Sequence, residues 1–322
     1  MTQPLIVRLR NWVGDVVLSV PTLVRLQAAG HELHLIGKGW AADLLRGYGW
    51  PVHKLAATTS ERIAQLRTLR QAAREHDPGF GRRLNAVSFP YSFGSALEMR
   101  LAGLRAIGYA HEGRGFLLKR SVQRPPRGEH ELVVYWQLGS ALLGRDAPPP
   151  DRIDLQLAPA HLEQAAELRA RHTLGDGFIM ICPFAGGTWD DKDKTWPGFA
   201  DFTAGPLREF GRRIVVCPGP GGEEALARER FPGALLLPGV GLGAYAALMK
   251  SAALMISNDT GPGHMAAAVG APLLSVLGPS EPAMWGAWGP SVHIVRGSSG
   301  DPPWPDAQQV GDAVARVLAG TR

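Results

Sequence analysis

The sequence has 322 residues, of which 45% are hydrophobic and 20% charged, and this composition excludes a disordered or fibrous chain. The length exceeds the roughly 100 to 200 residues of a typical domain, so two domains are expected. The net charge of +5 and the pI near 9.5 favour an anionic partner, such as a nucleotide, a phosphorylated glycan or a membrane surface.

The N-terminal residues MTQPLIVRLRN predict a strand. They lack the basic start, long apolar run and small-residue cleavage site of a signal peptide. No segment approaches the roughly 18 uninterrupted apolar residues of a membrane span. The chain is therefore expected to remain in the cytosol.

Short apolar runs alternate with amphipathic segments along the whole chain. Strands are predicted at PLIVRL, ELHLIG, NAVSF and RAIGY, and then at FIMIC, RIVVC, ALLLP, ALMIS, PLLSVLG and VHIV. Helices are predicted over residues 60–75, 161–172, 223–231, 243–251 and 306–318, and another begins near Ser92. This alternation predicts an α/β protein with parallel sheets that helices cover on both faces.

The polar stretch GRDAPPPDRIDLQLAP, residues 144–159, is the best candidate for a linker, because three successive prolines cannot continue a helix. It predicts two α/β domains, residues 1–157 and 158–305. Cys182 and Cys217 each end a strand-like run, and they are expected to be buried small hydrophobes. No second cysteine pair or histidine cluster lies at the spacing of zinc ligands.

The stretch SNDTGPGHMAAAVGAP, residues 257–272, predicts a strand that ends at the start of a helix. Pro262 fits the first helical turn, and Gly261 and Gly263 allow a ligand close to the backbone. A helix N-terminus carries about half a positive charge and free N–H donors, so it suits a phosphate or diphosphate. The alternative is a capped helix whose glycines only pack against a strand.

The longer stretch SNDTGPGHMAAAVGAPLLSVLGPSEPAMWGAWGP resembles the donor-binding signature of glycosyltransferase family 9, the bacterial heptosyltransferases of lipopolysaccharide assembly. The resemblance extends in order to NWVGDVVLSVP, to FPYSFGSALEMRLAGLRAIGYAHEGRGFLL and to DKTWP, and so covers most of the chain. Residues 11–15 are most similar to the heptosyltransferase II branch.

The resemblance implies a GT-B fold, in which an acceptor-binding and a nucleotide-sugar-binding Rossmann-like domain face a central cleft. The C-terminal helix, residues 306–322, would pack back on the first domain. The implied reaction transfers heptose from ADP-heptose to an anionic glycolipid of the lipopolysaccharide inner core. It proceeds with inversion of the anomeric centre and without a metal or another cofactor. The resemblance implies a cytoplasmic protein, with peripheral association at the cytoplasmic face of the inner membrane as an option.

Two catalytic residues follow from the resemblance. Asp15 would be the base that takes the proton of the acceptor hydroxyl, although an acid in a first helical turn commonly only favours the macrodipole. Lys194 would contact the donor phosphates, and Lys192 is an alternative because DDKDK admits a shift of two residues. The same stretch contains a literal D-x-D, residues 191–193, which some transferases use to hold a metal ion.

The remaining predicted contacts divide between donor and acceptor. The donor set comprises Thr188, Lys194, Glu223, Asp259, Thr260, Gly261, Gly263 and His264, with Glu224 as an alternative to Glu223. The acceptor set comprises Asn11, Trp12, Arg114, Lys119 and Arg120. The last three belong to a basic stretch with Arg100, Arg105, Arg124 and Arg127, which could instead be a solvated face. Nucleic acid is a poorer partner, because no aromatic platform is interleaved with these charges.

Other functions fit the sequence less well. An NAD-dependent oxidoreductase would also be α/β and basic, but no G-x-G-x-x-G follows the first strand. A catalytically inactive homologue would keep the fold, yet Asp15 and the NDTG motif are both present. Within the family the donor could be another nucleotide sugar, since a shared fold does not determine the substrate.

Overall fold

The computed structural model describes residues 2–175 and 177–320, and it divides the chain into two compact units, Met1–Pro150 and Asp151–Arg322. The division lies inside the stretch 144–159 that the sequence marks as a linker, earlier than the predicted boundary after residue 157. Positions 1, 176, 321 and 322 of the predicted ranges lie outside the described residues.

The first unit is built on one parallel sheet. Its strands are β1 (Gln3–Arg8), β2 (His31–Gly37), β3 (Val52–Lys54), β4 (Ala86–Ser88), β5 (Ala106–Ala110) and β6 (Arg120–Gln123). Its helices are α1 (Val13–Ala28), α2 (Ala41–Leu44), α3 (Thr59–His76), α4 (Phe93–Leu101) and α5 (Glu131–Leu143), with 3₁₀ turns at Arg46–Tyr48 and Arg114–Leu117. The strand order is β3-β2-β1-β4-β5-β6, and every pairing is parallel.

Local sequence explains the main elements of this unit. The run Leu5, Ile6 and Val7 of β1 is fully buried, as expected for a central parallel strand that is covered on both faces. Helix α3 begins at a capping box, in which Glu61 N donates to Thr58 Oγ1 at 3.3 Å and Thr58 N donates to Glu61 Oε2 at 2.9 Å.

The second unit repeats the architecture. Its strands are β7 (Ile179–Cys182), β8 (Thr188–Trp189), β9 (Lys192–Asp193), β10 (Ile214–Val216), β11 (Leu235–Leu236), β12 (Leu254–Ser257), β13 (Leu273–Leu277) and β14 (Val292–Arg296). Its helices are α6 (Pro159–Arg171), α7 (Phe199–Ala204), α8 (Glu223–Arg230), α9 (Leu242–Ser251), α10 (Gly261–Ala268), α11 (Pro282–Trp285) and α12 (Ala307–Gly320), with a 3₁₀ turn at Pro206–Phe210. The main sheet has the order β11-β10-β7-β12-β13-β14, and β8 and β9 form a separate antiparallel pair.

Both sheets therefore have the strand order 3-2-1-4-5-6 when the strands of each sheet are counted along the chain, and the α/β class with parallel sheets is confirmed. In this topology the chain reverses its direction of winding between the first and fourth strands, and ligands bind outside the carboxyl ends of those strands. These candidate positions are the ends of β1 and β4 in one unit, and the ends of β7 and β12 in the other.

The C-terminal helix, α12, buries one face in the second unit, and its packing on the first domain stays a prediction. The buried side chains of α12 lie in the core of the second unit, among residues of β7, β10, β12 and β13. They are Val310, Ala313, Val314, Val317 and Leu318. The helix is strongly amphipathic, and the second sheet supplies the apolar surface that its buried face requires.

Candidate active site

Asp15 lies at the carboxyl edge of the first sheet, in the first turn of α1, which follows β1. Its side chain is only 7% exposed. Tyr135 Oη donates a hydrogen bond of 2.6 Å to Asp15 Oδ1, and Arg10 Nε lies 3.3 Å from the same oxygen. Both of these contacts fall on the same carboxylate oxygen, Oδ1.

A second buried carboxylate stands in the same cluster. Glu131 begins α5 and is 1% exposed; it accepts a hydrogen bond from Tyr91 Oη and lies 3.2 Å from Arg124. Tyr91 follows β4, and its ring lies under the guanidinium groups of Arg10 and Arg124, which are 4.5 and 4.4 Å from the ring centre. Near the ends of β1 and β4, two acidic side chains, two arginines and two tyrosines therefore form one connected network.

Burial and neighbouring charges shift the ionisation of this network. Burial raises the pKa of the Glu131 carboxyl group, although Tyr91 and the nearby cations oppose that shift. Burial alone would lower the pKa of Arg10, but Tyr135, Asp15 and the other acidic groups around the guanidinium raise it above its ordinary value. Arg10 therefore remains a permanent cation beside the Asp15 carboxylate.

Sequence reasoning did not assign Arg10, Tyr91, Glu131 or Tyr135 to a site. For two of these residues the sequence does contain an indication. Glu131 and Tyr135 are four residues apart, so they share one face of α5. The contacts of Arg10 and Tyr91 depend on the pairing of β1 with β4, which no local pattern reveals.

Arg114 requires a correction. It was expected to contact the acceptor, but its side chain is fully buried. Its guanidinium group donates to the carbonyl oxygens of Tyr109 at 2.9 Å, Pro90 at 2.5 Å and Ser92 at 3.1 Å, so it ties the segment that follows β4 to the strand β5. Burial also lowers its pKa to about 10. Arg114 supports the sheet edge and does not present its charge to a ligand.

The other predicted acceptor residues are at the surface of the same unit. Asn11 and Trp12 lie between β1 and α1, and both are exposed, Trp12 to 60%. Lys119 and Arg120 are exposed where β6 begins. Their accessibility is compatible with a contact to an acceptor, which stays a prediction.

In the second unit, β12 ends at Ser257 and delivers residues 258–260 to the start of α10, as the sequence predicts. Thr260 is the N-cap residue, and its side chain makes no capping hydrogen bond. Pro262 occupies the first turn, where an N–H would have no partner within the helix. At Gly263 a Cβ atom would lie 3.3 Å from Ser257 Oγ, so the backbone approaches its own strand closely there.

A pocket opens beside this helix start. Its lining consists of Asn258, Asp259, Thr260, Gly263, His264, Ser275, Leu277, Gly286, Ala287 and Ile294. Four residues of the predicted donor set therefore lie together at the carboxyl edge of the second sheet.

Asp259 lies between two basic side chains. Lys194 Nζ donates to the Asp259 carbonyl oxygen at 3.0 Å and lies 3.7 Å from Oδ2, and His264 Nε2 lies 3.8 Å from Oδ1. The segment that carries Lys194 is fixed by a further bond, from Trp196 N to Asn258 Oδ1 at 2.9 Å. These bonds hold the KTWP and NDTG motifs side by side, although more than sixty residues separate them along the chain.

Lys192 is placed differently from Lys194. It pairs with Asp301 at the surface, whereas Lys194 is mostly buried beside Asp259. Lys194 is therefore the lysine of the two that lies next to the start of α10.

The first aspartate of the literal D-x-D, Asp191, lies in a hairpin turn. Trp189 pairs with Lys192 in the β8–β9 hairpin, so Asp190 and Asp191 form its two-residue turn. Both have positive φ angles, 45° and 61°, as a type I′ turn needs, and aspartate tolerates this conformation. Within residues 2–175 and 177–320, no group of three or more His, Cys, Asp or Glu side chains is arranged to hold a metal ion.

The remaining donor candidates lie at neighbouring strand ends. Glu223 begins α8, and its Oε2 accepts from Gly219 N at 2.7 Å, so it closes the loop after β10. Glu224 pairs instead with Arg228 on the exposed side of the helix, at 2.5 Å. Thr188 is exposed at the start of β8, several residues beyond the end of β7.

Two Rossmann-like α/β units, each with polar residues at the switch point of its sheet, define the two-domain fold that glycosyltransferases of the GT-B class share. The family model for glycosyltransferase family 9 (heptosyltransferase) matches residues 85–310. The chain therefore belongs to glycosyltransferase family 9.

Individual relatives agree with this assignment. Lipopolysaccharide heptosyltransferase 1 of Pseudomonas aeruginosa is 42% identical over 114 residues, which are 34% of this chain and 32% of that protein. The chain thus matches about a third of the length of its curated relatives.

Solved structures match over nearly the whole chain. ADP-heptose lipopolysaccharide heptosyltransferase II of E. coli has 22% identity and a TM-score of 0.77, with 99% of each chain covered. E. coli heptosyltransferase WaaC, solved with ADP, has 20% identity and a TM-score of 0.73, covering 98% of this chain and 100% of that one. At these identities the likeness shows the fold alone, and the heptosyltransferase II branch stays a prediction.

Proposed function

We propose that this protein transfers heptose from ADP-heptose to an anionic glycolipid acceptor of the lipopolysaccharide inner-core type. One observation carries the proposal: within the region that matches family 9, Lys194 and His264 flank Asp259 at the open start of α10. This arrangement combines a cation, a helix N-terminus and a carboxylate, which together suit a sugar diphosphate.

The donor half of the proposal rests on charge. The diphosphate would accept hydrogen bonds from the backbone of the α10 start and from Lys194, while Asp259 would orient the sugar. As the bond between the anomeric carbon and the diphosphate breaks, negative charge develops on ADP, and fixed donors at this position would stabilise it. Glu223 and Thr188 are proposed as further donor contacts, with Glu223 on the ribose hydroxyls.

The acceptor half rests on Asp15. In a single inverting displacement the acceptor oxygen attacks the anomeric carbon, ADP leaves from the opposite side, and the proton of the hydroxyl group passes to Asp15. Tyr135 and Arg10 would hold the carboxylate in position through Oδ1 while Oδ2 accepts that proton. Asn11, Trp12, Lys119 and Arg120 are proposed to contact the acceptor, at the cytoplasmic face of the inner membrane.

Two alternatives remain, a family member that uses another nucleotide sugar and an inactive homologue that only binds one. Titration calorimetry with ADP, UDP and NAD tests the donor. We expect ADP to bind and the other two to bind much more weakly or not at all. Strong binding of UDP or NAD without binding of ADP would refute the donor assignment.

Transfer is expected to proceed in excess EDTA. The reason is that Lys194 and the α10 start are proposed to offset the diphosphate charge in place of a metal ion. The rate of transfer is measured before and after chelation. A rate that EDTA abolishes, and that added magnesium or manganese restores in proportion to dose, would contradict the metal-independent mechanism.

A further inference from the structure

Glu131 is a buried acid of the first unit to which the transfer mechanism assigns no step. Its side chain is 1% exposed, so it meets neither substrate directly. Its two carboxylate oxygens have different partners. Oε1 accepts a hydrogen bond from Tyr91 Oη, and Oε2 accepts one of 3.2 Å from Arg124 Nη2. Glu131 thus holds a phenol group and a cation at the same time.

The Tyr91 ring brings a second cation to this pair. The guanidinium group of Arg10 lies 4.5 Å from the ring centre, and that of Arg124 lies 4.4 Å from the same point. Each cation has its own acid, because Arg10 contacts Asp15 and Arg124 contacts Glu131. Two cations and two carboxylates are therefore held around one ring in a definite pairing.

The two acids of this pairing are close enough to influence each other. Burial is the main cause of the raised pKa of Glu131, and the negative charge of Asp15 adds to it. An arginine that loses its carboxylate partner in a partly buried place is attracted to another carboxylate. For Arg124, which is 32% exposed, the other carboxylate of the network is that of Asp15.

We propose that Glu131 is a positioning residue that keeps Arg124 away from Asp15. By pairing with Arg124, Glu131 leaves the Asp15 carboxylate able to accept a proton. Without the charge of Glu131, Arg124 would join Arg10 on that carboxylate, and proton transfer would have to break the added hydrogen bond. The effect on catalysis rests on the proposed function, in which Asp15 is the base, whereas the pairing of the charges does not.

Steady-state kinetics of the whole protein test this role. Glu131→Gln keeps an acceptor for Tyr91 but removes the charge that holds Arg124. We expect kcat to fall about tenfold or more, the scale of one hydrogen bond to a charged group. The KM values of both substrates should stay unchanged, because the buried side chain contacts neither. Adding Arg124→Met to Glu131→Gln should restore most of kcat, since the cation that would cover Asp15 is then gone.

Glu98→Gln is the matched control. Glu98 is also a buried acid of the first unit, and it pairs with Arg62 at 2.6 Å, where α3 packs on α4. This variant should unfold at a lower temperature and keep the wild-type kcat. An equal loss of kcat in Glu98→Gln would overturn the proposal, because any broken acid–arginine pair would then have the same effect.

Two further kinetic results would also overturn it. One is an unchanged kcat in Glu131→Gln. The other is a low kcat in the double variant with Arg124→Met. The double variant leaves no unpaired charge, so its kcat decides the matter even where Glu131→Gln does not fold.

A crystal structure of Glu131→Gln tests the pairing without any transfer. We expect an Arg124 nitrogen at about 2.8 Å from an Asp15 oxygen, the length of a hydrogen bond between charged groups. An Arg124 side chain that stays at residue 131 would contradict the proposal. If the wild type transfers sugar and this contact does not form, only the role of Glu131 is refuted. If the contact forms and the wild type transfers no sugar, only the enzymatic proposal is refuted.

Discussion

Substitution of Asp15 by asparagine is expected to lower the turnover number for heptose transfer about a hundredfold or more, the usual scale for loss of a positioned base. The amide keeps the size of the side chain and can still accept from Tyr135, but it cannot take a proton. The affinity for ADP should stay unchanged, because ADP is assigned to the second unit. Steady-state kinetics and calorimetry on the same preparation measure both quantities.

A matched control distinguishes the loss of a catalytic base from the loss of a negative charge at a helix N-terminus. Asp201 also lies in the first turn of a helix, α7, and it is exposed, so Asp201→Asn removes a comparable interaction with a macrodipole. We expect that variant to remain fully active. If Asp15→Asn keeps near-normal turnover, Asp15 is only a helix-terminal charge. A thermal unfolding scan checks that Arg10, deprived of its anion, has not destabilised the unit.

Substitution of Lys194 by methionine is expected to weaken ADP binding about tenfold to a hundredfold. A hydrogen bond to a charged group contributes about 1.5–3 kcal/mol, and 1.4 kcal/mol corresponds to a tenfold change in affinity. Turnover should also fall, since the lost cation would have stabilised the departing diphosphate. Calorimetry with ADP and steady-state kinetics measure the two effects.

Lys192→Met is the matched control, because Lys192 pairs with Asp301 at the surface and lies in β9, two residues before Lys194. Its ADP affinity should equal that of the wild type. Equal losses of ADP affinity in the two variants would mean that ADP binding depends only on the net positive charge of this region and not on the position of Lys194. Unaltered ADP binding in Lys194→Met would show that Lys194 serves solely to fix the loop after β12 through the Asp259 carbonyl.

The strands and helices that carry strong patterns could be predicted from the sequence. The apolar runs that become β1, β7, β12 and β13 are central and buried, so their hydrophobicity is unbroken. The elements that the sequence did not reveal include β3, β6, the β8–β9 hairpin and the helices α2, α5, α7 and α11. Strand β6 is polar and largely exposed at the sheet edge, and its pairing with β5 is a tertiary contact that no local pattern encodes.

The second-unit cluster was easier to anticipate than the first. Asp259, Thr260, Gly263 and His264 lie in one motif. The structure brings Lys194 to them through hydrogen bonds from Lys194 Nζ to the Asp259 carbonyl oxygen and from Trp196 N to Asn258 Oδ1. The first-unit cluster joins four separate segments. A count of positive charges placed Arg114 among the surface groups, because a sequence does not show that three carbonyl oxygens surround its guanidinium group.

Asp15 is the sharpest example of this difference. Its position after the first strand could be predicted, but its environment could not. Arg10 and Tyr135 both contact Oδ1 of the Asp15 side chain, and the buried Glu131 provides a second acid, with a raised pKa, in the same network. These neighbours come from α5 and from the loop before α1, which only the fold brings together.

Incubation with ADP-heptose and a lipopolysaccharide inner-core acceptor, followed by mass spectrometry of the acceptor and quantification of ADP, tests heptose transfer most directly. The expected result is an acceptor that has gained one heptose residue for each ADP released, with an anomeric configuration opposite to that of the donor. The contrary result is an acceptor that stays unmodified with ADP-heptose, above all if a sugar linked to UDP or GDP is transferred under the same conditions.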